Sequence, residues 1–302
     1  MKIIITGGTG LIGRALSKRL AQDGDEIVIL SRSSKRPDGL VPEARIVQWD
    51  SQTGEGWSHE LADTDAIVNL AGDSIGSERW SEAKKQRVYD SRINAGRAIV
   101  DAVNKAGTAP ARLIQASGVN YYGHRSDKYL TEDEPAGNDF LSKVCIDWEA
   151  STEPLEAFGT SRALIRNAIV LDGNEGALPL MAMPFKFFVG GPIASGKQGV
   201  SWIHIRDHIE ALRFLLKESD LAGPINLSAP NPASNRQFSK AIGKALGRPS
   251  FMPAPGFALR AAVGEFANHL IYGQYVVPHR LLEAGFEFKF PDVEPALKDL
   301  LG

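Results

Sequence analysis

Short, nearly continuous apolar runs alternate with longer segments in which apolar residues recur every three or four positions through the first half of the chain. The runs Lys2–Thr6, Glu26–Leu30, Arg45–Gln48, Ala66–Leu70, Arg112–Ala116 and Arg162–Leu171 are rich in Ile, Val and Leu and predict strands. Leu11–Gln22, Ser81–Lys105 and Phe140–Phe158 predict helices between them. Strands without polar alternation must be covered on both faces, which the intervening helices can do. The pattern predicts an α/β fold with a Rossmann-type, doubly wound parallel sheet.

Beyond Leu171 the texture changes. GNEGALPLMAMPFKFFVGGPIASGKQG mixes glycine and proline with apolar residues, and suits a substrate-side segment better than another strand-helix unit. A strand at Ser201–Ile205, a helix at Asp207–Glu218 and a strand at Pro224–Leu227 follow. Further helices are expected from Arg236 and over Ala258–Leu270, and GFEFKFPDVEPALKDLLG reads as a strand and a short helix. Two domains are expected, 1–172 and a smaller α/β unit over 173–302, with the chain crossing back to the first near 201–228.

The first strand collapses into Gly7-Gly8-Thr9-Gly10-Leu11-Ile12-Gly13 before the first helix. A strand, a GxxGxxG turn and a helix form a pyrophosphate cradle: glycines admit the anion to the backbone, and the helix N-terminus offers free N–H groups. The second strand runs into Ser31-Arg32-Ser33, and no carboxylate appears until Asp38. An acid there would hold a ribose 2′-hydroxyl, whereas a guanidinium meets a 2′-phosphate, so NADP is the expected cofactor. After the fourth strand, the small residues of Asn69-Leu70-Ala71-Gly72 would let a flat ligand lie against the backbone.

Composition narrows the functional classes. Across 302 residues the formal net charge is −2, and the cations are scattered, so nucleic acid is not an expected partner. The single cysteine, Cys145, rules out an intramolecular disulfide, and the six histidines show no HExxH spacing, so no metal site is expected. No apolar run approaches the roughly 18 to 20 residues that span a bilayer. Because the glycine turn follows residue 6 at once, no signal peptide is expected over these first residues. A cytoplasmic protein acting on a small molecule, away from membranes, is expected.

TGGTGLIG, NLAG and Ala116-Ser117 followed by Tyr122-Gly123 resemble the extended short-chain dehydrogenase/reductase superfamily, the NAD(P)-dependent epimerases and dehydratases. A closer resemblance, running essentially end to end, is to its atypical epimerase branch related to YfcH and SDR39U1-like proteins. It is carried by Arg79-Trp80, Ser91-Arg92, FLSKVCIDWE (Phe140–Glu149), GGPIASGKQGVSWIHIRD (Gly190–Asp207), INLSAPNP (Ile225–Pro232) and VVPHRLLEAGFEFKFP (Val276–Pro291). The resemblance implies that Gly7, Gly10, Ile12 and Gly13 hold the pyrophosphate and that Ser31 and Arg32 hold the 2′-phosphate. It also implies that Leu70 and Ala71, with the neighbouring Gly72, and Arg92 and Val170 lie along the cofactor. Read as residues alone, Arg92 is a solvated helix charge and Val170 core.

Typical members use a Tyr and a Lys spaced YxxxK on one helix face, with a Ser or Thr nearby. Counting back from Glu149 puts Leu141 and Cys145 in those places, so the dyad is absent. Asp139 and Lys143 are better read as an exposed i, i+4 ion pair than as a replacement. The remaining candidate proton donors are Ser117, Tyr121 and Tyr122, although the usual alignment puts Gly118 in the serine place. His204 and Asp207 are read as structural. The expectation is an NADP(H)-dependent oxidoreductase or epimerase acting by hydride transfer on a small polar, sugar-like substrate. The alternative is a non-catalytic NADP(H)-binding sensor. Folds of this kind often dimerise through paired helices, and a homodimer is retained although no apolar excess on Ser81–Lys105 demands one.

Overall fold

The computed structural model describes residues 1–302, apart from the side chains of residues 262 and 263. In chain order the first half contains β1 (Lys2–Thr6), α1 (Leu11–Gln22), β2 (Glu26–Ser31), β3 (Arg45–Gln48), β4 (Ala66–Asn69), α2 (Glu82–Ala106), β5 (Arg112–Gly118), β6 (Arg125–Leu130) and α3 (Phe140–Ala150). The second half contains β7 (Ser161–Asn167), β8 (Ile169–Leu171), α4 (Ala177–Lys186), β9 (Gly199–Val200), β10 (Trp202–His204), α5 (Ile205–Lys217), β11 (Gly223–Leu227), β12 (Ala233–Ser234) and α6 (Asn235–Leu246). It ends with α7 (Gly256–Val263), α8 (Ala267–Tyr272), β13 (Gln274–Val276), α9 (His279–Glu283) and α10 (Val293–Leu301).

Seven strands form one parallel sheet in the order β11-β7-β5-β4-β1-β2-β3, so strand order reverses between β1 and β4. Its middle strands are buried on both faces. Ile3, Ile5, Ile27 and Ile29 join Leu16 and Leu20 of α1 and Leu212 and Leu215 of α5 on one side. Ile4, Val28 and Ile67 meet Ile99 and Val103 of α2 on the other. Helix ends follow local chemistry: Ser81 caps α2 by accepting from the Lys84 amide, and Gly107 ends it at φ 65°. Residues 205–227 return to this sheet, α5 packing over it and β11 pairing with β7. A third apolar cluster joins α4, α6 and α10 through Leu178, Phe185, Phe238 and Leu297.

Several expected elements differ. The strand at Arg162–Leu171 breaks after Asn167: the Ala168 amide bonds to Leu227, and β8 leaves to pair with β10. The helix at Phe140–Phe158 stops at Ala150, because the Ser151 hydroxyl returns to Trp148 O and a 3₁₀ turn containing Pro154 follows. The helix at Ala258–Leu270 is broken at Gly264, whose φ is 68°. No strand forms at 286–290, since the Lys289 and Phe290 amides donate to Asp207 instead of a neighbouring strand. The glycine- and proline-rich segment contains α4, which the sequence pattern did not predict. Asp139 and Lys143 are not paired: Asp139 caps α3 through the Ser142 amide, and Lys143 reaches Asp147 at 3.0 Å.

Candidate functional site

The turn after β1, the end of β2 and the segment after β4, which carry Gly7–Gly13, Ser31-Arg32 and Leu70–Gly72, lie at the carboxyl ends of these strands around the crevice where strand order reverses, while Arg92 comes from α2 and Val170 from β8, outside this sheet. Gly7 takes φ 65°, and a Cβ there would stand 2.7 Å from Leu70 O, so the turn after β1 and the segment after β4 touch with no room for a side chain. Thr6 Oγ1 donates to Asn69 Oδ1 at 2.5 Å and accepts from the Ala71 amide at 3.2 Å, joining the same two strands. Gly10 begins α1 without a side-chain cap, and the Arg14 amide is the first to bond back to it. The amides of Leu11, Ile12 and Gly13 are therefore available to an anion. These features fit a dinucleotide pyrophosphate.

Arg32, just past β2, is exposed, and among the described residues its guanidinium has no carboxylate partner. It lines a cleft of about 520 Å³ with Gln48, Trp49, Asp50 and Glu55. The sequence reading missed the β3-end residues of this cleft. Their signal was the polar and aromatic Gln48-Trp49-Asp50 closing a short strand, which becomes informative only once β3 is known to lie beside β2.

Arg92 is not a solvated helix charge. It is 7% exposed, with its guanidinium donating to Asp73 O (3.0 Å) and Val88 O (2.9 Å) and lying 4.9 Å from the Trp148 ring centroid. A Cβ on Gly72 would come 3.0 Å from that guanidinium, so Arg92 forms the floor beneath Gly72. Val170 is half-buried in β8, and the following turn brings Gly176 against Leu11 at the start of α1. Arg14 of α1 pairs with Glu175 at 2.6 Å across the same gap.

The three expected proton donors part ways. Ser117 is 3% exposed and donates to Glu149 Oε1 at 2.7 Å. Tyr122 is fully buried; its hydroxyl donates to Asn226 Oδ1 at 2.7 Å and accepts from Arg166 at 3.0 Å. Burial pushes that phenol up to about 12. Arg166 holds the network together by binding Glu149 through two nitrogens at 3.0 and 3.1 Å. Two of the three hydroxyls thus point into a buried polar cluster and satisfy it. Tyr121 is half-buried with its ring under the Arg166 guanidinium, 3.4 Å from the centroid, and among the described residues its hydroxyl has no hydrogen-bond partner.

Leu141 and Cys145 lie on the inner face of α3, 2% and 5% exposed. The Cys145 sulfur faces the end of β5, 3.7 Å from where a Gly118 Cβ would be. Burial pushes its thiol up to about 11, so neither position supplies an ionised group at neutral pH. His204 accepts from the Arg206 amide and stacks on Phe290, while Asp207 receives the Lys289 and Phe290 amides. Both are structural. No described helix is long and apolar enough to cross a membrane.

Residues 3–153 match the model of the NAD dependent epimerase/dehydratase family, and residues 254–300 match a domain of unknown function, DUF1731. Over 302 residues the chain is 39% identical to the epimerase family protein YfhF of Bacillus subtilis, covering all of this chain and 98% of that protein. The human epimerase family protein SDR39U1 (isoform 2), solved with NADPH, superposes with a TM-score of 0.88 at 34% identity, covering 100% of this chain and 99% of that one. A nucleoside-diphosphate sugar epimerase from Corynebacterium glutamicum gives 0.80 at 32% identity, covering 100% of this chain and 58% of that one.

Proposed function

Because the chain belongs to the NAD dependent epimerase/dehydratase family, we propose that it is an NADP(H)-dependent oxidoreductase or epimerase acting on a small polar, sugar-like substrate. In this reading residues 1–172 hold the cofactor and residues 173–302 shape the pocket over it. The observation that carries the proposal is the cradle of Gly7, Gly10 and Gly13 together with Arg32, a cation without a carboxylate partner among the described residues, where an NAD site would present a carboxylate. The NADPH bound to human SDR39U1 supports the same choice of cofactor.

The chain's own residues divide the work as follows. The first-turn amides of α1 receive the pyrophosphate, and Ser31 and Arg32 the 2′-phosphate. Leu70, Ala71 and Gly72, the last backed by Arg92, and Val170 would lie along the bound cofactor. When bound, the nicotinamide supplies or accepts the hydride at the substrate carbon. Tyr121, whose hydroxyl has no hydrogen-bond partner among the described residues, would donate to the substrate's carbonyl oxygen. Ser117 and Tyr122 act through position, because their hydroxyls are spent on Glu149 and on Asn226 and Arg166.

The replacement of the usual Tyr and Lys by Leu141 and Cys145 favours a second reading, a non-catalytic NADP(H)-binding sensor. One experiment separates the two: titrate with NADPH and NADH, then follow nicotinamide absorbance across ketones, aldehydes, quinones and nucleotide sugars. Preferential NADPH binding with turnover of some compound supports the enzyme. Preferential binding without turnover supports the sensor, and equal or absent binding of both cofactors overturns the assignment of Arg32.

A further inference from the structure

His124, Asp139 and His269 are 15 and 130 residues apart in sequence and sit on three different parts of the fold, yet each places a ligand atom within 4.8 Å of the other two. His124 follows the turn after β5, Asp139 caps α3, and His269 belongs to α8. We propose that these three side chains form a binding site for one divalent first-row transition ion of the zinc, cobalt or nickel type.

The donor set fits that class. Two imidazoles and one carboxylate suit a borderline ion, whereas calcium and magnesium call for oxygen ligands. His124 Nε2 and Asp139 Oδ2 are 3.7 Å apart, close to the roughly 3.4 Å that separates ligands around a tetrahedral ion with bonds near 2.1 Å. The two histidine rings lie 4.7 Å apart at 47°, which sets the third donor beside the other two.

The surroundings orient the donors and keep them available. Asp139 Oδ1 is held by the Ser142 amide (2.9 Å) and hydroxyl (3.1 Å), which turns Oδ2 toward His124 as an outer-shell support would. Trp80 and Phe266 flank His269, and Tyr272 flanks His124. The nearby Glu265 is engaged by Lys85 at 2.6 Å and does not complete the set. Three protein ligands leave a fourth position for water or substrate. An ion here would tie α8 to the start of α3 and to the loop that follows Tyr121 and Tyr122.

The test uses tag-free full-length protein stripped with a chelator, titrated with Co²⁺ by visible absorbance and with Zn²⁺ by calorimetry. Expected are one ion per chain, a tetrahedral cobalt spectrum and a raised Tm. His124→Ala and His269→Ala should each weaken binding by about 100-fold. Asp139→Asn, which preserves the helix cap, should weaken it by at least about 10-fold. His279→Ala, which breaks a surface His–Glu pair, should change nothing. If His269→Ala unfolds by circular dichroism, the exposed His124→Ala carries the test. No binding at millimolar Co²⁺, or undiminished binding in folded His124→Ala, overturns the proposal.

Discussion

At the scale of the residue, the clearest consequences fall on Arg32 and Tyr121. Arg32 lacks a protein partner for its guanidinium among the described residues, so its removal should cost binding without unsettling the fold. A charge-assisted bond to a phosphate is worth roughly 1.5 to 3 kcal/mol, so Arg32→Ala should weaken NADPH by about 10- to 100-fold. NADH, with no 2′-phosphate to lose, should bind as before, and fluorescence titration of both cofactors reads the difference. Tyr121→Phe should leave NADPH affinity within about twofold and lower kcat by roughly 10²-fold or more if its hydroxyl gives the proton. An equal kcat in wild type and Tyr121→Phe would move the donor to the substrate or to water. The same scale explains why Ser117 and Tyr122 looked eligible: hydroxyls at or just past the end of a strand are visible in sequence, but the groups that consume them, Glu149, Asn226 and Arg166, lie up to 104 residues away.

Between elements, α3, β5 and β7 are joined by a buried ion pair. Arg166 and Glu149 have side chains 4% and 10% exposed, and the pair is satisfied on both sides by Ser117 and Tyr122. Glu149→Ala would strand a buried guanidinium, and we expect a loss of about 3 to 5 kcal/mol in urea unfolding. The same change should loosen Tyr121, whose ring lies under Arg166. Glu149→Gln, which retains a polar partner, should lose less. α3 also shows how an element can be legible in sequence while its end is not. Apolar residues recur all along Phe140–Phe158, and the turn of Ser151 back onto Trp148, with the Pro154 3₁₀ turn after it, stops the helix at Ala150.

The whole molecule has an acid limb set by histidines that must stay neutral when folded. His208 is completely buried, with Nε2 2.7 Å from Asn167 Oδ1, and burial pushes it down to about 3. Burial also lowers the pKa of His204. Below the ordinary histidine pKa near 6.5 the unfolded chain binds protons that the folded chain refuses, so stability is flat above that pH and falls below it. Each such group contributes about 1.4 kcal/mol per pH unit until its folded pKa is reached, which for His208 is near pH 3. Urea unfolding between pH 7 and 4 should show this decline, with a shallower slope in His208→Gln; an unchanged slope would assign the limb to other groups. From sequence alone came the parallel sheet, the glycine cradle and Ser31-Arg32, because each rests on residues adjacent in the chain and on the local geometry they allow. Tertiary structure alone decided which hydroxyls are spent, that Arg92 lies beneath Gly72, and that His124, Asp139 and His269 meet. Those facts depend on long-range packing and on where buried polar groups find partners, and short-range spacing carries no record of either.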